Sequence, residues 1–454
     1  MSPRPARRPP PTPRPRSPGR GRARRRRRGR AHRSRRPGAR RGRGGSPRRA
    51  RHTPAAGRSA APGRRPTRPA SAARRPHHRA PRCARPRPCR TPRPAGRRAR
   101  RGPRSRRVVR RDAARIYHRI MTVVGAAVPS IALARVPDGA PRPEDFVLVD
   151  LPREEVADGQ VRVRVLTLSL DPYQRSTLGG RHLGDAPVGP GGLVPGRAVG
   201  EVVESRSPEV AVGSTVLAET GWRAEAVVPA TAVVPVVVPP GVPLSAALGA
   251  LGMPGLTAYA AHERHLRPQA GATVVVGAGT GGVGAVAGQL ARLAGARAVA
   301  VVGSEEKAAI ATDRLGYDEA VLRGPGLDGA LAEACPDGID GYLHLGDQAT
   351  LDVVMERLAV GARVSLCGLM DQYNGAAPTR LRAGAVMAAR AEVHGMVVHD
   401  HHDLALDHAT RVAALLASGE LVTVEDRCTG LADAPAAFAR LMSGTNVGKV
   451  LVDL

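Results

Sequence analysis

Apolar and polar residues follow two different patterns along the chain. Residues 161–170 (VRVRVLTLSL) start with strict alternation, which predicts a half-buried strand. Valine-rich runs at 198–204, 213–219 and 232–238 follow, with glycine and proline between them. Short strands at close spacing, separated by turn residues, predict a small β-barrel or sandwich in this part of the chain.

Beyond Pro243 the pattern changes to helical segments that alternate with short apolar runs. Pro254-Gly255 is expected to separate the first two helices. The βαβαβ order that follows predicts a parallel, doubly wound sheet. The predicted helices are 244–251, 257–266, 283–294, 304–315, 350–358 and 406–418, and the predicted strands are 272–276, 298–302, 341–345, 363–367, 393–398 and 448–453.

A glycine cluster, GAGTGGVG at 277–284, lies between a predicted strand and a predicted helix. Within it, Gly279, Gly281 and Gly284 have the spacing of a dinucleotide-binding turn. The first glycine permits the tight turn, the second lets the backbone approach a pyrophosphate, and the third lets helix and strand pack closely. The N–H groups at the helix start would face the phosphates. A glycine-rich turn without a ligand is the alternative.

The end of the second β-run favours NADP(H) over NAD(H). Proteins that bind NAD place an acid about 20 residues after the glycines to hold the ribose hydroxyls, but here the run ends in Val302-Gly303-Ser304. Lys307, one of two lysines in the chain, follows. A small residue with a cation nearby suits a 2′-phosphate, and an ordinary solvated helix lysine is the alternative. Ser304 is expected to cap that helix.

The charge is distributed very unevenly. Of the 71 lysines and arginines, 45 fall in residues 1–120 beside a single acid, Asp112, whereas the later residues hold 26 basic and 37 acidic side chains. A basic arm therefore precedes a mildly acidic body, which excludes a basic, DNA-binding body. Residues 1–107 contain no Val, Ile, Leu, Phe, Tyr or Trp, so we expect this Arg/Pro-rich arm to be disordered.

Three interpretations of the arm remain open. Arginine runs such as 24–28 are suited to non-specific binding of nucleic acid. A targeting peptide would need an apolar or amphipathic segment, which the arm lacks. Because Arg, Pro, Ala and Gly all have GC-rich codons, we favour the third interpretation, a mis-assigned start with translation beginning at or near Met121.

Other features bear on compartment, membrane and metal. Three widely spaced cysteines in the body argue against a disulfide framework and favour the cytoplasm. The uncharged stretch 226–261 carries six prolines, so it cannot form one membrane helix, and no membrane association is expected. Four histidines occur within 399–408, but we expect Asp400 and Asp403 there to cap a helix, and we expect no metal.

Together these residues resemble the zinc-independent medium-chain dehydrogenases/reductases, in the group of prostaglandin (leukotriene B4 12-hydroxydehydrogenase) reductases, 2-alkenal reductases and bacterial curcumin reductases. The similarity runs from about residue 130 to the C-terminus, and the arm has no counterpart. The matching strings are LSLDPY at 168–173, LGMPGLTAY at 251–259, the glycine cluster with Gly288-Gln289, GS-x-x-K at 303–307, LCG at 366–368, QYN at 372–374 and G-x-N-x-G-K at 444–449.

The resemblance implies a β-rich, GroES-like catalytic domain and a Rossmann domain, with the active site in the cleft between them. The arm would take 1–120, the catalytic domain 121–245 and 399–454, and the NADP-binding domain 246–398. The implied reaction is NADPH-dependent reduction of an activated carbon–carbon double bond in a small enone or enal. Zinc is not implied, since 195–197 reads Pro-Gly-Arg where zinc-dependent relatives carry Gly-His-Glu. A homodimer is also implied.

The resemblance further assigns cofactor residues along the Rossmann half. Arg323 replaces a tyrosine that usually helps to hold the 2′-phosphate, and a guanidinium suits that anion. Leu345 replaces an asparagine that usually meets the cofactor, which predicts altered affinity or placement. The candidate cofactor residues are Gly279, Thr280, Gly281, Gly282, Val283, Gly284, Ser304, Lys307, Arg323, Cys367, Gly368 and Asn446.

Reduction of an enone needs a hydrogen-bond donor for the oxygen on which negative charge develops. A neutral tyrosine suits this task, because its ordinary pKa is about 10. Tyr373 is the first candidate, and Tyr173 is the second, as a wall or donor; the alternative for each is a core or turn residue. Two other functions remain open, a quinone reductase of the same superfamily and a non-catalytic protein that binds NADP or nucleic acid.

Overall fold

The structure, a computed structural model, describes residues 127–454 apart from 181 and 185, so the Arg/Pro-rich arm lies outside the described residues. The strands are β1 (Ala127–Leu133), β2 (Phe146–Pro152), β3 (Gln160–Ser169), β4 (Arg197–Ser205), β5 (Thr215–Glu219), β6 (Glu225–Pro229), β7 (Val234–Pro235), β8 (Thr273–Gly277), β9 (Arg297–Val302), β10 (Glu319–Leu322), β11 (Ile339–His344), β12 (Leu358–Leu366), β13 (Glu392–Gly395), β14 (Glu425–Thr429) and β15 (Lys449–Asp453).

The α-helices vary from one turn to four. They are α1 (Tyr173–Thr177), α2 (Met253–Ala260), α3 (Gly284–Leu293), α4 (Glu305–Ala309), α5 (Leu327–Ala334), α6 (Gln348–Met355), α7 (Met370–Tyr373), α8 (Ala383–Ala389), α9 (Ala405–Ser418) and α10 (Ala434–Ser443). Wider π-helical turns continue α2 over Ala261–Leu266 and α4 over Ile310–Arg314. No helix in the described part of the chain is long and apolar enough to cross a membrane.

A six-stranded parallel sheet has the order β10-β9-β8-β11-β12-β13. The chain reverses its direction of travel across this sheet between β8 and β11. Ligands of such sheets bind at that point, beyond the carboxyl ends of the strands. The β8 strand is buried at every position, as expected for a strand covered on both faces. The predicted doubly wound Rossmann sheet is therefore confirmed.

A second, mostly antiparallel sheet has the order β14-β15-β3-β4-β5-β7. The long strand β3 pairs with β4 along one side, and its other side is shared by β6 at the start and β15 at the end. Strands from both ends of the described chain therefore meet in one sheet. Phe146 stacks on Trp222, and Phe438 meets both rings edge-on in a buried cluster that includes Leu168 and Val450 of this sheet. This sheet confirms the predicted β-rich part.

Two local predictions are wrong. The predicted strand 232–238 pairs only over Val234–Pro235, because the prolines in this region supply no N–H to a ladder. The predicted break at Pro254-Gly255 is absent, since α2 begins at Met253 and holds Pro254 in its first turn. Backbone N–H groups in the first turn of a helix have no partner within the helix, so the N–H that proline lacks is not missed there. The pattern also missed the short strands β1, β2, β6, β10 and β14 and the helices α1, α5, α7, α8 and α10.

The core of the parallel sheet extends past the boundary predicted at 398. Val412, Leu421 and Val424 pack in the same apolar cluster as Val274 and Leu290 of β8 and α3. Helix α9 also contacts α2. We therefore place the second crossing between the two halves near Val424, just before β14.

Candidate active site

A cavity of about 1490 Å³ lies at the carboxyl ends of β8, β9, β11 and β12, facing the antiparallel sheet. Its wall brings together twelve of the predicted site residues. Two others lie outside the wall, because Gly279 packs against β9 and Ser304 caps α4. The predicted residues in the wall are Tyr173, Thr280, Gly281, Gly282, Val283, Gly284, Lys307, Arg323, Cys367, Gly368, Tyr373 and Asn446.

The glycine cluster turns tightly between β8 and α3. A Cβ on Gly284 would lie 2.3 Å from the Ala278 carbonyl oxygen, and one on Gly279 would lie 2.6 Å from the Ala300 side chain. Gly282 faces the Lys449 stem, where a Cβ would approach Cδ to 3.0 Å. Side chains at these positions would collide with the protein itself, so only glycines permit this tight turn at the start of α3. The loop therefore fits a dinucleotide.

Tyr317 packs against this loop and is hydrogen-bonded to it. Its fully buried hydroxyl lies 2.7 Å from the Gly284 carbonyl oxygen and 3.2 Å from that of Gly279. A Cβ on Gly288 would fall 2.0 Å from the tyrosine ring, so the ring reaches the loop only because Gly288 has no side chain. No signal in the sequence pointed to Tyr317, because it lies 33 and 38 residues from the two glycines that its hydroxyl contacts.

The cations that were predicted to meet a 2′-phosphate lie together at one end of the cavity. Ser304 accepts a hydrogen bond from the Lys307 backbone N–H at 3.3 Å, which confirms that it caps α4. The Lys307 ammonium donates to the Gly444 carbonyl oxygen at 2.7 Å. The Arg323 guanidinium lies over Gly303 and the same Gly444 turn. Burial and the neighbouring Arg323 lower the pKa of Lys307 below its ordinary value.

The segment 344–348 replaces the usual amide with an apolar side chain and a carboxylate. The Leu345 backbone packs against Gly277 and Gly368, and Leu345 forms part of the cavity wall. Asp347 caps α6 by accepting the Thr350 N–H at 2.7 Å, and it lies 3.7 Å from Arg323. A carboxylate therefore lies beside Arg323, one of the two cations predicted to bind the 2′-phosphate.

At the other end of the cavity, the wall includes Cys367 and Tyr373 beside Asp171, Asp371 and Lys449. Beyond β12, the N–H groups of Cys367 and Gly368 donate to the His344 carbonyl oxygen, and the chain then enters α7, which ends in Tyr373. Burial raises the pKa of the Cys367 thiol to about 12. Burial, and then the neighbouring Cys367, raise the pKa of Tyr373. Both side chains are therefore protonated near neutral pH.

The two candidate tyrosines are carried by neighbouring helices. Helix α1 begins with Tyr173 and contacts α7, which carries Tyr373. The Ser176 hydroxyl donates to the Tyr173 carbonyl oxygen at 2.6 Å, and the His182 ring lies 5.3 Å from the Tyr173 ring. Asn446 completes the wall with its amide donating to the Gly448 carbonyl oxygen at 2.8 Å. The sequence alone could not bring these segments together.

The histidine-rich segment 399–408 differs from expectation. Asp403 pairs with Arg264, and α9 begins after Leu404 without a side-chain cap, so the predicted capping by Asp400 and Asp403 is wrong. The buried His408 donates to the Ala250 carbonyl oxygen at 2.9 Å. Among the residues that the structure describes, no group of three or more histidines, cysteines or acids could hold a metal ion.

Two family models match the chain. The model described as the N-terminal domain of oxidoreductase matches residues 130–236, and the model described as zinc-binding dehydrogenase matches residues 282–411. The NADPH-dependent curcumin reductase of Escherichia coli is 35% identical over 328 residues, which cover 70% of this chain and 95% of that protein. The NADP(+)-dependent 2-alkenal reductase of Nicotiana tabacum is 33% identical and covers 69% of this chain and 94% of that protein.

A solved structure is similar over the same region. CurA from Vibrio vulnificus, crystallised in complex with NADPH, is 33% identical with a TM-score of 0.67. The similarity covers 72% of this chain and 98% of that chain. The shared part therefore includes both sheets and the cavity between them.

Proposed function

Since this chain belongs to the zinc-independent medium-chain dehydrogenases/reductases, we propose that it is an NADPH-dependent ene-reductase for α,β-unsaturated ketones and aldehydes. One observation carries the proposal. A single cavity joins a glycine loop and two cations to two tyrosines and a thiol, Cys367, that stays protonated near neutral pH. The names of the relatives, curcumin reductase and 2-alkenal reductase, support this substrate class.

Different residues along the cavity would contact different parts of the cofactor. Thr280 to Gly284 would hold the pyrophosphate at the start of α3, and Lys307 with Arg323 would bind the 2′-phosphate. Asn446 and Gly368 would border the nicotinamide end. When bound, NADPH supplies the hydride that reduces the β-carbon of the conjugated double bond.

Tyr373 would stabilise the charge that this reduction creates. Negative charge develops on the substrate carbonyl oxygen, and a hydroxyl that is protonated over the working pH range can donate a hydrogen bond to it. The α-carbon then takes up one proton, which completes the saturated product. Tyr173, on the neighbouring helix α1, would form the facing wall or a second donor.

The test is NADPH consumption by the full-length chain with an alkyl enone, an enal, a curcumin-like dienone and a quinone. We expect turnover of the enone and enal, with NADPH preferred over NADH. Turnover of the quinone alone would assign the chain to the quinone reductases. Binding of NADPH with no turnover of any substrate would contradict the proposed activity. The same panel with a chain that starts at Met121 shows whether the arm affects it.

We also propose that the protein is a cytoplasmic homodimer. Strand β13 is the outer edge of the parallel sheet, and pairing of two such edges would continue the sheet across a twofold axis. The free cysteines Cys335, Cys367 and Cys428 are compatible with a reducing compartment. A monomer mass in light scattering would contradict the dimer.

A further inference from the structure

Lys449 and Asp171 form an ion pair that is almost entirely withdrawn from water. The Lys449 ammonium lies 2.9 Å from Asp171 Oδ1 and 2.6 Å from the Leu170 carbonyl oxygen. The two side chains are 7% and 9% exposed, and no other ion pair between described residues is as buried on both sides. The second Asp171 oxygen accepts the Ser169 hydroxyl at 2.5 Å. Because burying two charges is costly, stability alone does not explain this pair.

The lysine connects the cofactor loop with the strand that leads to Tyr173. Its aliphatic stem runs beside Gly282, where a Cβ would lie 3.0 Å from Lys449 Cδ. Its ammonium contacts Leu170 and Asp171, which follow β3, and Asp171 is two residues before Tyr173, the first residue of α1. One side chain from β15 therefore touches the glycine loop of the parallel sheet and the end of β3 in the antiparallel sheet.

Asp171 is in turn hydrogen-bonded to helix α1. Its backbone N–H donates to Gln174 Oε1 at 2.9 Å, and the Gln174 amide donates to the Pro195 carbonyl oxygen at 3.0 Å. These bonds set the direction in which α1 leaves β3. Because Tyr173 is the first residue of α1, its placement depends on where the Asp171 carboxylate is held.

We propose that Lys449, held by Asp171, is a positioning residue that sets the distance between the cofactor loop and Tyr173. This rests on the proposed ene-reductase function. Hydride transfer requires the reacting atoms to approach within about 3.5 Å, and an error of about 1 Å can lower the rate about 100-fold. The two reacting partners would be held by different sheets, so a side chain that spans both sheets controls their distance.

The test separates positioning from stability with three variants of the full-length chain. Lys449→Met keeps an unbranched stem beside Gly282 and removes the ammonium, Asp171→Asn keeps the shape of the carboxylate, and the double variant removes both charges together. Each single variant leaves one buried charge without its partner and should lower Tm, whereas the double variant should regain most of the loss. The measurements are Tm, the Kd for NADPH and kcat.

We expect the double variant to bind NADPH within about 3-fold of the parent and to have a kcat reduced about 10-fold or more. Arg162→Met, which breaks a largely buried ion pair with Glu225 outside the cavity wall, is the matched control and should lower Tm without lowering kcat. A double variant that recovers both Tm and kcat would overturn the proposal, because the pair would then be structural only.

Two further measurements cover the remaining outcomes. If the double variant does not fold, Ser169→Ala removes one hydrogen bond to Asp171 without removing a charge, and it should lower kcat about 2- to 3-fold at unchanged Kd. An unchanged kcat would count against the proposal.

If the parent reduces no enone, the proposed function fails, and the fluorescence of bound NADPH then tests the inference about Lys449. A nicotinamide emission altered in the variants supports it, and an identical emission contradicts it.

Discussion

At one end of the cavity Lys307 and Arg323 present two cations, and at the other end Tyr373 and Cys367 present a neutral hydroxyl and a neutral thiol. Lys307 and Arg323 converge on the Gly444 turn, with Asp347 3.7 Å from the guanidinium. At the other end, burial keeps Tyr373 and Cys367 protonated. Charge attracts a phosphate, and a neutral donor stabilises a developing oxyanion. We infer that one end determines affinity and the other determines rate.

The largest effect is expected at the neutral end. Tyr373→Phe removes a hydroxyl and little else, so kcat for an enone should fall about 10-fold or more, since general acid–base groups contribute about 10²–10⁴. The Kd for NADPH should stay the same. Tyr259→Phe, at a buried tyrosine outside the cavity wall, is the control and should retain kcat. An unchanged kcat in Tyr373→Phe would remove Tyr373 from the mechanism.

The cation end should show the opposite behaviour. Lys307→Met removes the buried ammonium, so the KM for NADPH should rise about 10-fold, which corresponds to about 1.4 kcal/mol of binding. The kcat at saturating NADPH and the KM for NADH should change little, because neither depends on the 2′-phosphate. Arg357→Met, at a surface pair with Asp328, is the control. A loss of kcat without a change in KM would contradict the division between the two ends.

A rise in pH should change the KM for NADPH but not kcat, and the effect should be smaller than that of the substitutions. Because the pKa of Lys307 is lowered, its cation is lost as pH rises at values below the ordinary 10.5, and the KM for NADPH should rise there by about 3- to 5-fold. The pKa of Tyr373 is raised, so its proton is retained beyond pH 10 and kcat should stay flat. Steady-state kinetics with NADPH and NADH over this range would check both. A KM for NADH that rises in parallel would disprove the assignment to Lys307.

The smallest effect is expected below the glycine loop, which both ends share. Tyr317→Phe removes the hydroxyl that reaches the Gly279 and Gly284 carbonyl oxygens but keeps the ring. The Kd for NADPH should rise about 3-fold, or about 0.65 kcal/mol, which is near the lower end of what one neutral hydrogen bond contributes. Fluorescence titration measures this change. A Kd equal to that of the parent would show that the loop holds its shape without the tyrosine.

The sequence was most informative where structure depends on neighbours along the chain. The period of apolar residues predicted the parallel sheet, and the glycine spacing predicted the turn between β8 and α3, because both patterns act within about 20 residues. Ser304 was identified as a helix cap for the same reason. The local failures at Pro254 and 232–238 also have local causes, since each depends on whether the structure needs the backbone N–H that proline lacks.

The strings LSLDPY and G-x-N-x-G-K were visible in the sequence, but their relation was not. Asp171 and Lys449 are 278 positions apart and meet only because β15 pairs with the end of β3. Tyr317 meets the glycine loop in the same way, across the core, and Asp347 meets Arg323 across the cavity. The sequence determined which chemical groups this protein carries and which turns present them. The tertiary structure alone decided which distant groups share one buried site, because long-range pairing depends on the packing of the whole sheet.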